Sequence, residues 1–256
     1  MEFEDLRGRT AVVTGGGRGL GRSLAEAFAA QGMNVALLDV LDGVEAAAEE
    51  IAADSGVSAL GIRTDVTDTT QLEAAFARVS AELGTPQALL TAAGVTLLEP
   101  STDITPEQWR RLQSINVDGT FFTAQAFARE LIRAELPGSA VLVSSMSAHI
   151  VNVPQNQAAY NTSKAAVGHL AKSLAVEWAP KGIRVNAIAP GYFLSDMTKQ
   201  FTETNPELAA DWVSRIPMGR MGEPEDLHGL VAFLASDASR YLTAQSVVID
   251  GGYTAI

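Results

Sequence analysis

The chain contains no cysteine, which excludes disulfides, thiolate metal ligands and cysteine nucleophiles. Basic residues are scarce: 18 Lys and Arg stand against 30 Asp and Glu, leaving a net charge of −12. So negative a surface repels phosphate backbones, and no nucleic-acid partner is expected. No apolar run nears the roughly 18 residues of a membrane span. The opening MEFEDLRGRT also lacks the apolar core of a signal peptide. The three histidines fall in no metal-ligand spacing, so no metal is expected. Repeats, low-complexity tracts and Gly/Ser linkers are missing too. What remains is 256 residues, 47% hydrophobic, consistent with a single cytoplasmic domain that needs no covalent staple.

Short apolar runs alternate with Ala-rich stretches of helical period. They predict strands at 10–14, 34–39, 58–63, 88–91, 140–144, 184–188 and 246–249. Helices are expected at 20–31, 44–54, 69–83, 106–134, 158–179 and 225–235. Strands this short and apolar are covered on both faces, and helix-length connections permit parallel pairing. The expected fold is a single-domain, doubly wound α/β parallel sheet of about seven strands, with ligands beyond the carboxyl ends of the strands. The segment 191–223 breaks the rhythm between Pro190 and Pro224 and is expected to form a substrate loop or lid.

Thr14-Gly15-Gly16-Gly17-Arg18-Gly19-Leu20-Gly21 joins the first strand to the first helix. Glycine lets the backbone turn tightly against a diphosphate, whose charge then sits on the helix N-terminus. Asp39 closes the second strand 18 residues beyond Gly21. A carboxylate there accepts from ribose hydroxyls and repels a 2′-phosphate, which favours NAD over NADP. Arg18 is the counterweight, a cation in the same loop; it would otherwise be an ordinary surface charge. Asp65-Val66, after the third strand, offers an acid for an adenine amino group and an apolar wall for its ring. Asp65 would serve equally as a turn cap.

Tyr160 and Lys164 stand four residues apart near the start of a predicted helix, on one face. A phenol titrates near pH 10, so it acts as a base at neutrality only if its anion is stabilised, as an adjacent ammonium and an oxidised nicotinamide would do.

TGGGRGLG at 14–21, Asp65, Gly94, Asn116, Ser144-Ser145, Tyr160 with Lys164, Asn186, Pro190-Gly191 and Asp250-Gly251-Gly252 appear in this order. In these motifs the chain resembles the short-chain dehydrogenase/reductase family over essentially its whole length. The resemblance implies that Tyr160 is the general acid/base, and that Lys164 lowers its pKa and binds the nicotinamide ribose. It further implies that Asn116 holds a water linking Lys164 to solvent and that a serine hydrogen-bonds the reacting oxygen. Val117, Ala92, Ala93, Gly94, Pro190 and Gly191 would line the cofactor, and the assembly would be a homotetramer built on the helices at 106–134 and 158–179. Counting from Tyr160 selects Ser147 as the active serine, whereas counting from the strand end selects Ser145. Strand ends are pinned by sheet packing, which favours Ser145 and leaves Ser147 as a substrate contact or substitute. The chain departs from the family's Asn-Asn-Ala-Gly with Thr91-Ala92-Ala93-Gly94, so no side-chain role carries over at 91 and 92.

The loop from Ser145 to Tyr160 resembles that of polyol and ketose members. Ser147, His149, Asn152, Gln155, Gln157 and Tyr192 would give a polyhydroxy substrate its donors and acceptors; Asn152 and Gln155 would otherwise satisfy loop backbone groups. The expected activity is NAD-dependent oxidation of a polyol or other secondary alcohol, with ketone reduction in reverse. Two rivals stand beside it: an NADPH-dependent 3-oxoacyl-thioester reductase served by a carrier protein, and a dinucleotide sensor without catalysis.

Overall fold

The computed structural model of the chain describes residues 2–195 and 202–256. Seven strands form one parallel sheet: β1 (Thr10–Thr14), β2 (Asn34–Asp39), β3 (Ala59–Arg63), β4 (Pro86–Thr91), β5 (Gly138–Val143), β6 (Ile183–Pro190) and β7 (Ser246–Ile249). Their order is β3-β2-β1-β4-β5-β6-β7. The chain winds outward from β1 to β3 and then crosses to β4. The carboxyl ends of β1 and β4 therefore open into a crevice from which the connections diverge.

Alternation along each strand supplies both faces. Val13, Leu37, Leu90 and Val141 pack with α1 (Gly19–Ala30), α2 (Val44–Ser55) and α8 (His228–Ala235), through Leu24, Phe28, Ile51 and Val231. Val12, Leu38, Leu89 and Leu142 face Phe76 of α3 (Thr69–Leu83), Phe127 of α5 (Gly119–Ala134) and Leu174 of α6 (Ala158–Trp178). Both faces are covered, which is why these strands are apolar throughout rather than alternating with polar residues.

Three expected elements differ in detail. The stretch 106–134 is not one α-helix. It comprises α4 (Pro106–Gln113), a π-helical turn (Ser114–Asp118) and α5. The Ser114 and Thr120 hydroxyls bond back to the carbonyls of Arg111 (3.0 Å) and Asn116 (2.8 Å). Such back-bonding competes with the regular ladder, and the extra residue in the turn re-aims Asn116. The strand expected at 140–144 starts earlier and stops at Val143, where the Ser144 hydroxyl is bound to the Lys164 carbonyl at 2.7 Å. The helix expected at 225–235 is a 3₁₀ turn over Pro224–Leu227 followed by α8. Of the segment 191–223, residues 196–201 lie outside the described residues. The remainder carries α7 (Pro206–Ser214).

Candidate active site

A cavity of about 820 Å³ lies along the carboxyl edge of β1, β2, β3 and β4. At its floor the chain turns at Gly15 with φ +66, and the Gly15 N–H donates to the Leu38 carbonyl at 2.8 Å. A Cβ on Gly15 would sit 2.8 Å from the Ala93 nitrogen, so only glycine admits β4's exit this close. Gly19 opens α1 with φ +57 and open space before it. The N–H groups of that first turn are thus available to an anion. Arg18 stands exposed at the cavity wall.

Asp39 is positioned from two sides. Its carboxylate accepts from the Gly17 N–H at 2.9 Å and from the Leu41 N–H at 3.2 Å. Gly17 does not line the cavity itself; it anchors the acid that does. Each carboxylate oxygen keeps a further lone pair for a ribose hydroxyl. Asp65 also lines the cavity, with one oxygen engaged by the Thr67 N–H (2.9 Å) and hydroxyl (2.7 Å). Val66 is buried and closely packed on Gly119. The Ala92 and Ala93 amides donate to the Thr14 carbonyl (3.1 Å) and hydroxyl (3.3 Å). Backbone thus braces β4 to β1 where the family's asparagines would stand, while the buried Thr91 hydroxyl has no partner among the described residues.

Gly15, Arg18, Gly19, Leu20, Gly21, Asp39, Asp65, Val66, Ala92, Ala93 and Gly94 all line this cavity, as their motifs predict. Val117, Pro190 and Gly191 do not. Gly191 instead lets β6 pass β7: its N–H donates to the Ile249 carbonyl, and a Cβ there would meet Asp250 at 2.7 Å. Val40, Leu41, Thr64 and Val95 join the lining, unanticipated. All follow strand carboxyl ends, a signal the parallel pattern already carried. Arg111 comes from the last turn of α4, and Ser114 and Ile115 from the π turn, which no periodicity announces.

Gly94 links this cavity to the chemical end: a Cβ there would lie 3.3 Å from Asn116 Oδ1 and 3.6 Å from Lys164 Nζ. Tyr160 and Lys164 project from the first turns of α6, as their spacing predicts, with Nζ 5.7 Å from the phenol ring centroid. Nζ donates to the Val143 carbonyl at 2.9 Å. Burial lowers the ammonium to about 8. Burial also pushes the Tyr160 phenol above its ordinary value, and a hydrogen bond with the Ser145 hydroxyl pulls the other way. Burial is the larger influence on the phenol in the protein alone, while Lys164 keeps its charge and two further N–H groups beside the ring as it donates to the β5 carbonyl.

Ser145 is the serine beside the phenol. Its oxygen also accepts from the Ser147 N–H at 3.1 Å. Ser147 is turned away, donating to Asn152 Oδ1 (2.7 Å) and accepting from Gln157 Nε2 (3.2 Å). Asn152 and Gln155 both donate to the Tyr192 hydroxyl, at 3.2 and 3.0 Å. His149 does not join this network; it is exposed and hydrogen-bonded to Ser246 of the edge strand at 3.1 Å. Asn116 is fully buried. Its amide clasps the Val95 N–H and carbonyl, both at 2.9 Å, and donates to the Ser163 hydroxyl at 3.0 Å. Both amide protons are therefore committed, and the side chain fastens the β4 exit to α6. Among the described residues no group of three or more His, Asp or Glu is placed to hold a metal. Nor is any described helix long and apolar enough to cross a membrane.

Comparison with known proteins agrees with this architecture. Residues 15–254 match the family model described as enoyl-(acyl carrier protein) reductase. The chain is 41% identical to a galactitol 2-dehydrogenase (L-tagatose-forming) of Cereibacter sphaeroides, over 97% of this chain and 96% of that one. A crystal structure of a short-chain type dehydrogenase/reductase from Mycobacterium marinum superposes with a TM-score of 0.93 at 42% identity, covering 99% of this chain and 98% of the other. The chain belongs to the short-chain dehydrogenase/reductase family. A gluconate 5-dehydrogenase from Burkholderia cenocepacia J2315, solved with NADP and tartrate, is also similar. Its TM-score is 0.92 at 31% identity, covering 99% of this chain and 98% of that one. Membership makes the protein a nicotinamide-dinucleotide oxidoreductase, and the crevice fits such a group: a glycine floor, an open helix N-terminus and an anchored acid.

The buried lysine has a pH signature. Lys164 falls from 10.5 to about 8 on folding, so between those values the unfolded chain binds more protons than the folded one. Stability contributed at this site therefore rises with pH across that window and is lowest below about 8. Melting followed from about pH 7 to pH 9.5, short of phenol ionisation, should show this gain in the parent protein and lose it in Lys164→Met.

Proposed function

We propose that the protein is an NAD-dependent polyol dehydrogenase, oxidising a secondary hydroxyl to a ketone and reducing a ketose in reverse. The observation that carries this reading is the meeting of Ser145, Tyr160 and Lys164 at the edge of a crevice whose far end holds Asp39. The identity to a galactitol dehydrogenase supports the polyol class.

Ser145, bonded to the phenol, would donate to the substrate oxygen and hold it against Tyr160. Tyr160 would take the hydroxyl proton during oxidation and return it during reduction. Lys164, fixed on the Val143 carbonyl, would hold its charge close to the phenolate and bind the ribose hydroxyls. Gly94 and the clasped Val95 would keep that side of the site flush against the ring. Asn116 would act as a positioning residue through Val95 and Ser163. Val117, Pro190 and Gly191 would border the nicotinamide end, and Gly15, Leu20 and Gly21 the diphosphate. When bound, the oxidised nicotinamide supplies the hydride acceptor and a positive charge that favours the phenolate.

Asp39 supports NAD, because its charge opposes a 2′-phosphate; the exposed Arg18 and the NADP-bound gluconate dehydrogenase weigh the other way. Asp39 is half-buried and held by two N–H groups whereas Arg18 is exposed, and a fixed, less solvated charge acts more strongly. A homotetramer would use α5 and α6, where Ile132 and Val176 are exposed apolar residues, and the cytoplasm is the expected compartment.

The test is a reduced-nicotinamide absorbance assay with pentitols, hexitols, ketoses, simple alcohols and an acetoacetyl thioester, using both cofactors in both directions. The polyol or its ketose should react best with NAD(H), and Tyr160→Phe should lose at least about a hundredfold in kcat while binding NADH normally. Preference for the thioester with NADPH would establish the carrier-protein rival, and NADH binding without turnover of any substrate would establish a sensor. Separately, Asp39→Ala should raise the NADP-to-NAD ratio of kcat/KM by about tenfold or more, the worth of roughly 1.4 kcal/mol. An unchanged ratio would remove the basis for NAD.

A further inference from the structure

Tyr192, just after β6, is the hub of the substrate-side network. Its ring stacks on Trp212 of α7, with centroids 4.2 Å apart and planes 9° from parallel. Tyr253 meets it edge-on at 5.4 Å and 80°. Trp212 is only 4% exposed and packs with Met146, Ile216, Met221 and Tyr253. The aromatic stack therefore sits on the same cluster that carries Met146, between Ser145 and Ser147.

The hydroxyl end of Tyr192 is equally constrained. Asn152 Nδ2 and Gln155 Nε2 both donate to it, and a phenol oxygen has two acceptor sites. With both filled, its remaining capacity is its own proton. Among the described residues that proton faces Gln155 Oε1 at a long 3.3 Å, on the amide whose nitrogen already donates to the same oxygen, and the hydroxyl of the edge-on Tyr253. Asn152 in turn accepts from Ser147 and Gln157 at 2.7 and 2.8 Å, and the Ser147 N–H donates to Ser145. A continuous hydrogen-bonded path thus runs from the serine beside Tyr160 to the Tyr192 hydroxyl.

We propose that Tyr192 is a hydrogen-bond donor to a second substrate oxygen beyond the reacting carbon, and that Trp212 is the positioning residue that aims it. The inference rests on the polyol reading above and deepens it: Tyr192 and Trp212 select substrates carrying an additional hydroxyl. A site built to bond a substrate hydroxyl rejects the analogue that lacks it, because its own polar groups are then left unpaired. Without the flat indole beneath it, the Tyr192 ring swings and the donor loses its direction. Phenylalanine at 212 preserves a stacking surface.

The experiment compares a polyol with a monohydroxy secondary alcohol of similar length, in the full-length protein with NAD, for Tyr192→Phe, Trp212→Ala and Trp212→Phe. Tyr192→Phe keeps the ring and its packing and should cut the polyol-to-monoalcohol ratio of kcat/KM by about tenfold or more. Trp212→Ala should lower the same ratio chiefly through the polyol KM, and Trp212→Phe should restore most of it. NADH affinity, read by fluorescence titration, should stay within about twofold in both Trp212 variants. Equal losses for both alcohols, or an unchanged ratio, would overturn the proposal and leave the polyol reading intact. Oxidation of the monoalcohol alone by the parent protein would overturn both.

Discussion

A buried ammonium on one backbone carbonyl is the constraint on which the chemical end depends. Lys164 reaches the Val143 carbonyl at 2.9 Å, where β5 ends and the chain must choose its next direction. Desolvating a cation is costly, and one charge-assisted bond offsets the cost only in part; the depressed ammonium records the remainder. Because Ser144 is tied to the Lys164 carbonyl at 2.7 Å, β5 and α6 are fastened to each other at that point. Ser145 then falls beside Tyr160 by connectivity, as the next residue after the fastening.

The rest of the crevice is arranged by the same logic of backbone groups satisfied at strand ends. Asp39 is held by two N–H groups and Asp65 by its own turn, while Asn116 clasps Val95 from the π turn. These contacts cost the site little mobility when a ligand arrives, since the polar groups are already oriented.

Much of this was legible in the residues. The strands and most helices follow from period and β-branching, because a doubly covered sheet demands apolar strands of limited length. Gly15, Asp39, Tyr160 and Lys164 were legible because each must be that residue type at that place. The π turn was not, since the local back-bonds of the hydroxyls at 114 and 120 occur in ordinary helices too, and the contact that goes with the turn, Asn116 on Val95, is long-range. Counting gave two serines, and the pinned strand end favoured Ser145, which hydrogen-bonds the phenol while Ser147 turns to Asn152 and Gln157. His149 reads as a polar loop residue whichever way it faces. In the protein alone burial pushes the phenol up and the ammonium down, and the oxidised nicotinamide on which the Tyr-Lys expectation also relies is a charge from outside the chain.

In the proposed reaction Tyr160 becomes a base through charge added to the site rather than through Lys164 alone. Tyrosinate absorbance, titrated in the parent protein with oxidised or reduced dinucleotide and corrected with Tyr160→Phe, tests it directly. The Tyr160 step should lie at least about one unit lower with the oxidised form than with the reduced form. Coincident midpoints for the two forms would contradict it.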